Sequence, residues 1–141
     1  MLLLSVLFAC VEPETKTEYI TETEEICAAI EGRQPCDFIV LDEDGNEVNF
    51  LSLIGKPMIL DLSTMWCYPC NQAAVEVQAT QDAYPEITYL TILIENREGN
   101  DPSAQDLKDW KGNYGITTAP VWAGSREVIT DDPTESDEFY L

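Results

Sequence analysis

The chain has 141 residues, enough for one small domain with a substantial core and no dependence on cross-links. Its 27 acidic against 7 basic side chains give a net charge of −20, which argues against nucleic acid or an anionic membrane surface as a partner. The absence of histidine removes Ser-His and Cys-His nucleophiles, imidazole acid–base chemistry and histidine-ligated metals.

Leu2 to Ala9 is an apolar run of the length of a signal-peptide core, too short to span a bilayer, and it ends in Leu7-Phe8-Ala9-Cys10. This resembles a bacterial lipobox, which implies cleavage before Cys10, lipidation of that cysteine and a chain anchored on the periplasmic side of a membrane. Val11 to Glu25 carries six glutamates and one lysine among threonines, with too few bulky apolar residues to fold alone. The expected organisation is a signal peptide and lipobox over 1–10, a disordered acidic tether over 11–26 and one domain over 27–141.

Within the domain, Phe38 to Leu41 and Glu47 to Phe50 read as two strands of a β-hairpin around Asp42-Glu43-Asp44-Gly45-Asn46, with Gly45 and Asn46 supplying positive φ. Leu51 to Ile54 reads as a helical turn stopped by Gly55 and Pro57. Pro57 to Ser63 is an apolar run expected to form a buried strand, and Tyr68 to Tyr84 lacks glycine and spaces alanine and valine as a helix does. Pro85 breaks that helix. Ile87 to Ile94 is nearly continuous in apolar and β-branched residues, as in a central strand covered on both faces. After a polar loop from Asn96 to Asp101, Ser103 with Asp106 opens a second helix through Leu107 and Trp110 to Gly115. The strands near Ile59 and Leu90 are then parallel neighbours. Thr130 to Asp137 is acidic and without periodicity.

Chemistry concentrates in Met65-Trp66-Cys67-Tyr68-Pro69-Cys70, where two cysteines two residues apart stand between a strand and a helix. At a helix N-terminus the free N–H groups and the positive end of the dipole favour a thiolate at Cys67, the species that attacks disulfides. Cys70, about one turn on, is placed to resolve the mixed disulfide. Half of a zinc site or a structural disulfide would use the same spacing, but zinc would need two further ligands, and the remaining cysteines, Cys27 and Cys36, are awkwardly spaced for it. Of the three pairings open to Cys27, Cys36, Cys67 and Cys70, only a Cys27–Cys36 structural disulfide leaves the later pair free to cycle. A relay between two redox pairs is the alternative.

The motif, with Asp61 six residues before Cys67, resembles the thioredoxin-like superfamily. The stretch Cys36-Asp37-Phe38-Ile39-Val40-Leu41-Asp42, then Gly45-Asn46 and Gly55-Lys56-Pro57, is similar to the entry of the membrane-tethered redoxin branch, of alkyl hydroperoxide reductase and thiol-specific antioxidant type. Together these cover about residues 35 to 123. The resemblance implies an α/β three-layer sandwich around a mixed sheet and an extracytoplasmic thiol-disulfide oxidoreductase. Its partners would be protein thiols or disulfides and an upstream electron donor, and it would work as a monomer without a cofactor or metal. Asp61 would be the buried acid that takes the proton from Cys70, while Trp66 and Pro69 support the dithiol.

The alternative is a peroxiredoxin-like thiol peroxidase with Cys67 as the peroxidatic cysteine and Thr64 in the T-x-x-C position. Two alignments remain open for Pro120: it is the cis-proline that faces a thioredoxin dithiol, or Trp110 to Trp122 is a helix leading into a short strand. In the second, which is favoured, the cis-proline would come later and the sheet would be incomplete at its C-terminal side.

Overall fold

The computed structural model describes residues 31–32 and 34–128. The apolar run Leu2–Ala9, Cys10, the acidic stretch 11–26, Cys27 and the segment Thr130 to Asp137 lie outside the described residues.

The hairpin consists of β1 (Ile39–Leu41) and β2 (Glu47–Asn49), antiparallel with Val40 opposite Val48. Its turn departs from the expectation at Asn46. Gly45 alone takes positive φ (81°), and no described residue other than glycine does so. The reason is Asp42, whose Oδ1 accepts from the backbone N–H groups of Asp44 and Asn46, both at 2.9 Å. That side chain closes the turn in place of a second left-handed residue, and the Asn46 Nδ2 donates to Asp42 Oδ2 at 3.0 Å. A 3-10 turn, Phe50–Leu53, follows, and Phe50 stacks on Phe38 with ring centroids 4.6 Å apart.

Two parallel crossovers then build the sheet. Strand β3 (Met58–Thr64) leads through helix α1 (Tyr68–Ala83) to β4 (Thr88–Glu95), paired in register from Met58 opposite Thr88 to Ser63 opposite Leu93. The apolar content of β4 has its expected consequence: every residue from Leu90 to Glu95 is buried. Helix α2 (Ala104–Tyr114) carries the chain on to β5 (Val121–Ala123), parallel to β4. Ser103 and Asp106 form a reciprocal capping box at the start of α2, and Gly115 ends it in the left-handed conformation at φ 66°.

The strand order is β2-β1-β5-β4-β3, and β1 runs antiparallel to β5, so the sheet is mixed. Two successive crossovers stepping the same way across a sheet leave both helices on one face. There Ala74 and Val77 of α1 and Leu107 and Trp110 of α2 pack with Leu93, Val121 and Ala123. The opposite face buries Leu90, Ile92, Ile94 and Trp122 under Phe38, Phe50 and Val128, which makes three layers with the 3-10 turn in the third. Among the described residues β3 has a strand neighbour on one side only.

No peptide bond among the described residues is cis. The carbonyl of Pro120 accepts from the Thr91 N–H at 3.1 Å and starts β5 inside the sheet, between β4 and β1. Trp110 belongs to α2, which leads through Pro120 into the short strand β5.

Candidate active site

Strand β3 delivers the dithiol at the C-terminal end of the sheet. Beyond Thr64 the chain is caught by backbone bonds: the Met65 N–H donates to the Glu95 carbonyl at 3.0 Å, and the Cys67 N–H to the Thr64 carbonyl at 3.2 Å. Cys67 is then the N-cap of α1, and Pro69 falls in the first turn, where a missing N–H costs no helical bond.

Cys67 and Cys70 are joined as a disulfide with Cα atoms 5.3 Å apart, and the Cys70 N–H donates to Cys67 Sγ at 3.3 Å. Once the pair is reduced, that donor and the helix N-terminus both favour negative charge on Cys67. Both cysteines are half-buried, and Cys70 packs against the helix-side core. Trp66 and Tyr68 flank Cys67 and are 56% and 74% exposed, giving the site an aromatic outer surface.

Three bracing residues, Asn71, Tyr114 and Glu95, escaped the sequence reading. Asn71 Nδ2 donates to the carbonyls of Met65 (3.3 Å) and Cys67, clamping the loop on both sides of Trp66. The Tyr114 hydroxyl on α2 donates in turn to Asn71 Oδ1, and Tyr114 packs edge-on against Trp110 with centroids 4.7 Å apart. Glu95, at the end of β4, is only 6% exposed; its Oε2 accepts from Trp66 Nε1 at 2.7 Å and its Oε1 from Arg126 Nε. These two bonds, with that to Arg126 the stronger influence, hold the Glu95 carboxyl below the usual range for a glutamate. A lone glutamate closing an otherwise apolar strand was the available signal.

Asp61 lies on β3 opposite Thr91, on the face that carries α1 and α2. Its carboxylate accepts from the Ser63 hydroxyl at 3.0 Å and from the Thr91 hydroxyl at 3.4 Å. Burial raises its pKa above the ordinary aspartate value, against the opposing effect of the two hydroxyls. A raised pKa means that the folded state binds this proton more tightly than the unfolded chain does. The corresponding stability is complete below the unfolded value of about 3.9 and is lost as pH rises through the folded one. Asp61→Asn keeps an oxygen for both hydroxyls and removes the charge. It should therefore unfold at a higher temperature than the parent at neutral pH, with the difference closing below about pH 4.

Cys36 is buried and disulfide-bonded, whereas Cys27 and Cys10 lie outside the described residues. The Thr64 hydroxyl is buried without a hydrogen-bond partner among the described residues.

No family model and no curated protein matches the chain. Solved structures do. MTB dsbF, determined in its mixed oxidized and reduced forms, is 23% identical, with 62% of this chain and 61% of that one covered at a TM-score of 0.52. A thiol:disulfide interchange protein of the thioredoxin family from Chlorobium tepidum TLS is 23% identical over 66% of this chain and 61% of its own, at 0.50. BsSco, of the Sco family of cytochrome c oxidase assembly proteins, is 19% identical over 63% and 54%, at 0.50. The chain thus spans less than two thirds of the length of each. With a mixed five-stranded sheet and two helices that match these structures, the described residues carry the thioredoxin-like fold.

Proposed function

We propose that the protein is a thiol-disulfide oxidoreductase acting on protein thiols or disulfides through Cys67 and Cys70. The observation that carries this reading is the Cys67–Cys70 disulfide at the N-cap of α1, with a backbone N–H aimed at the sulfur of Cys67. In the reducing direction the Cys67 thiolate attacks one sulfur of a substrate disulfide. A mixed disulfide forms, and the other substrate sulfur leaves as a thiolate. Cys70, once deprotonated, attacks Cys67 Sγ, closing the Cys67–Cys70 bond and releasing the second substrate thiol. Two electrons pass to the substrate, and an upstream electron donor must restore the dithiol. The oxidising direction is the same sequence reversed.

Asp61 is the proton acceptor we assign to Cys70. Its support is a raised pKa on the helix-bearing face, at the sequence distance from the dithiol that the thioredoxin resemblance implies. Trp66 and Pro69 shape the site, Trp66 as its exposed aromatic wall and Pro69 as part of the first helical turn. The peroxidase alternative would need an arginine at the cysteine, and Arg126 instead donates to Glu95. Cys27 is the partner we assign to Cys36. The site would work outside the cytoplasm, held to a membrane through lipid on Cys10; the apolar run ending in Leu7-Phe8-Ala9-Cys10 supports this, and no described helix is long and apolar enough to cross a membrane itself.

Limiting iodoacetamide added to the reduced protein tests the division of labour. Cys67 should be labelled first, with an apparent pKa below the ordinary thiol value of about 8.5. Preferential labelling of Cys70 would reverse the roles.

A further inference from the structure

Trp66 presents an unusual combination. More than half of its surface is open to solvent, yet its indole N–H is directed inward onto a buried carboxylate. An exposed tryptophan beside a reactive cysteine would ordinarily swing between rotamers. Here the handle is fixed. Glu95 spends one oxygen on Trp66 and the other on Arg126, and its backbone carbonyl takes the N–H of Met65, the residue before Trp66. One residue at the end of β4 therefore holds the dithiol loop by main chain and side chain together. Arg126, from the 3-10 turn Arg126–Val128 after β5, compensates the carboxylate from its outer side. A buried carboxylate is retained in its charged form only where such donors meet it.

We propose that Glu95 is a positioning residue of the dithiol site, pinning the Trp66 indole so that Trp66 and Tyr68 form a fixed aromatic shoulder against which a polypeptide docks its disulfide beside Cys67. The inference rests on the thiol-disulfide reading above and deepens it, because it names the residue that fixes the surface on which the protein substrate docks. A fixed apolar shoulder favours a polypeptide, whose side chains and backbone extend past the sulfur atoms. It gives little to a small disulfide, which meets only Cys67 itself. Glu95 acts through Trp66, so its removal should raise KM for protein substrates and leave the chemistry at sulfur intact.

Two readouts test this on the full chain. In protein labelled with 15N-tryptophan, the indole N–H signal missing from Trp66→Phe identifies Trp66. Glu95→Leu should speed the solvent exchange of that proton at least about tenfold, the loss expected for a hydrogen bond to a charged acceptor. In turnover, Glu95→Leu should raise KM for insulin by roughly tenfold with little change in kcat, and leave the rate with 5,5′-dithiobis(2-nitrobenzoate) unchanged. Trp66→Phe should also raise KM for insulin, and the double variant should be no worse than Trp66→Phe alone. Unchanged indole exchange in Glu95→Leu, additive losses in the double variant, or an equal loss on the small disulfide would each overturn the proposal. If Glu95→Leu does not fold, Glu95→Gln carries the test, since it keeps the shape but cannot accept in charged form from both donors. It should show the same changes at smaller size, and parental behaviour in both readouts would overturn the proposal. A parent chain that reduces no disulfide at all would refute the thiol-disulfide reading, whereas the indole exchange reports on the Glu95–Trp66 contact independently of turnover.

Discussion

Replacing Cys67 with serine should bring insulin-reducing turnover down to the rate of the reductant alone, and replacing Cys70 should halt the reaction at a mixed disulfide. The two variants should fail differently because the proposed mechanism gives the two cysteines different work. Without Cys67 no sulfur stands at the N-cap of α1, where the Cys70 N–H and the helix end favour a thiolate. Without Cys70 the attack still occurs, but nothing one turn away displaces the substrate from Cys67. Incubating each variant with insulin and resolving the products without reductant checks both halves: Cys70→Ser should accumulate the covalent adduct and Cys67→Ser should not. An adduct that accumulates on Cys67→Ser would exchange the roles.

The largest loss of stability should come from Trp110→Ala. Trp110 has no exposed surface and sits where α2 meets β4 and β5, among Leu107, Leu93 and Val121. Truncating a buried tryptophan costs about 3–5 kcal/mol, a large part of the roughly 5–15 kcal/mol that holds an ordinary domain together. Tyr114 packs edge-on against the same ring and bonds Asn71, which clamps the dithiol loop, so the damage should extend to the site. Trp110→Phe should lose less, because it retains an aromatic ring and removes an indole N–H that has no hydrogen-bond partner among the described residues. Denaturant unfolding of the two variants beside the parent gives the comparison, and an equal loss in both would show that the ring contact with Tyr114 contributes nothing.

Local signals in the sequence carried the elements because each was self-sufficient. The apolar run ending at Ile94 can only be buried, the Ser103 and Asp106 pair caps whatever helix follows it, and Gly115 can take the left-handed turn that ends one. The dithiol was legible for the same reason: a strand, two cysteines and a proline in the first helical turn form one continuous segment. What stayed hidden depends on partners far apart in the chain. Insertion of β5 between β4 and β1 is decided by a three-residue strand, Val121–Ala123, too short for its pattern to name its neighbours. One local reading failed as well: Asn46 does not take positive φ, because the Asp42 carboxylate, four residues before it, supplies the turn's bonds. Glu95 looked like the polar end of a strand until folding brought Trp66, 29 residues before it, and Arg126, 31 residues after it, onto its two oxygens.

The most direct test of the account is an equilibrium redox titration of the Cys67–Cys70 pair in thiol buffers, with the fraction oxidised read by alkylation and mass. A pair that cycles with protein substrates should titrate reversibly as a two-electron couple, with a midpoint between about −270 and about −120 mV, the span from reductants to strong oxidants of this chemistry. A midpoint below about −300 mV, the range of structural disulfides, would contradict it and make the bridge at the head of α1 a staple.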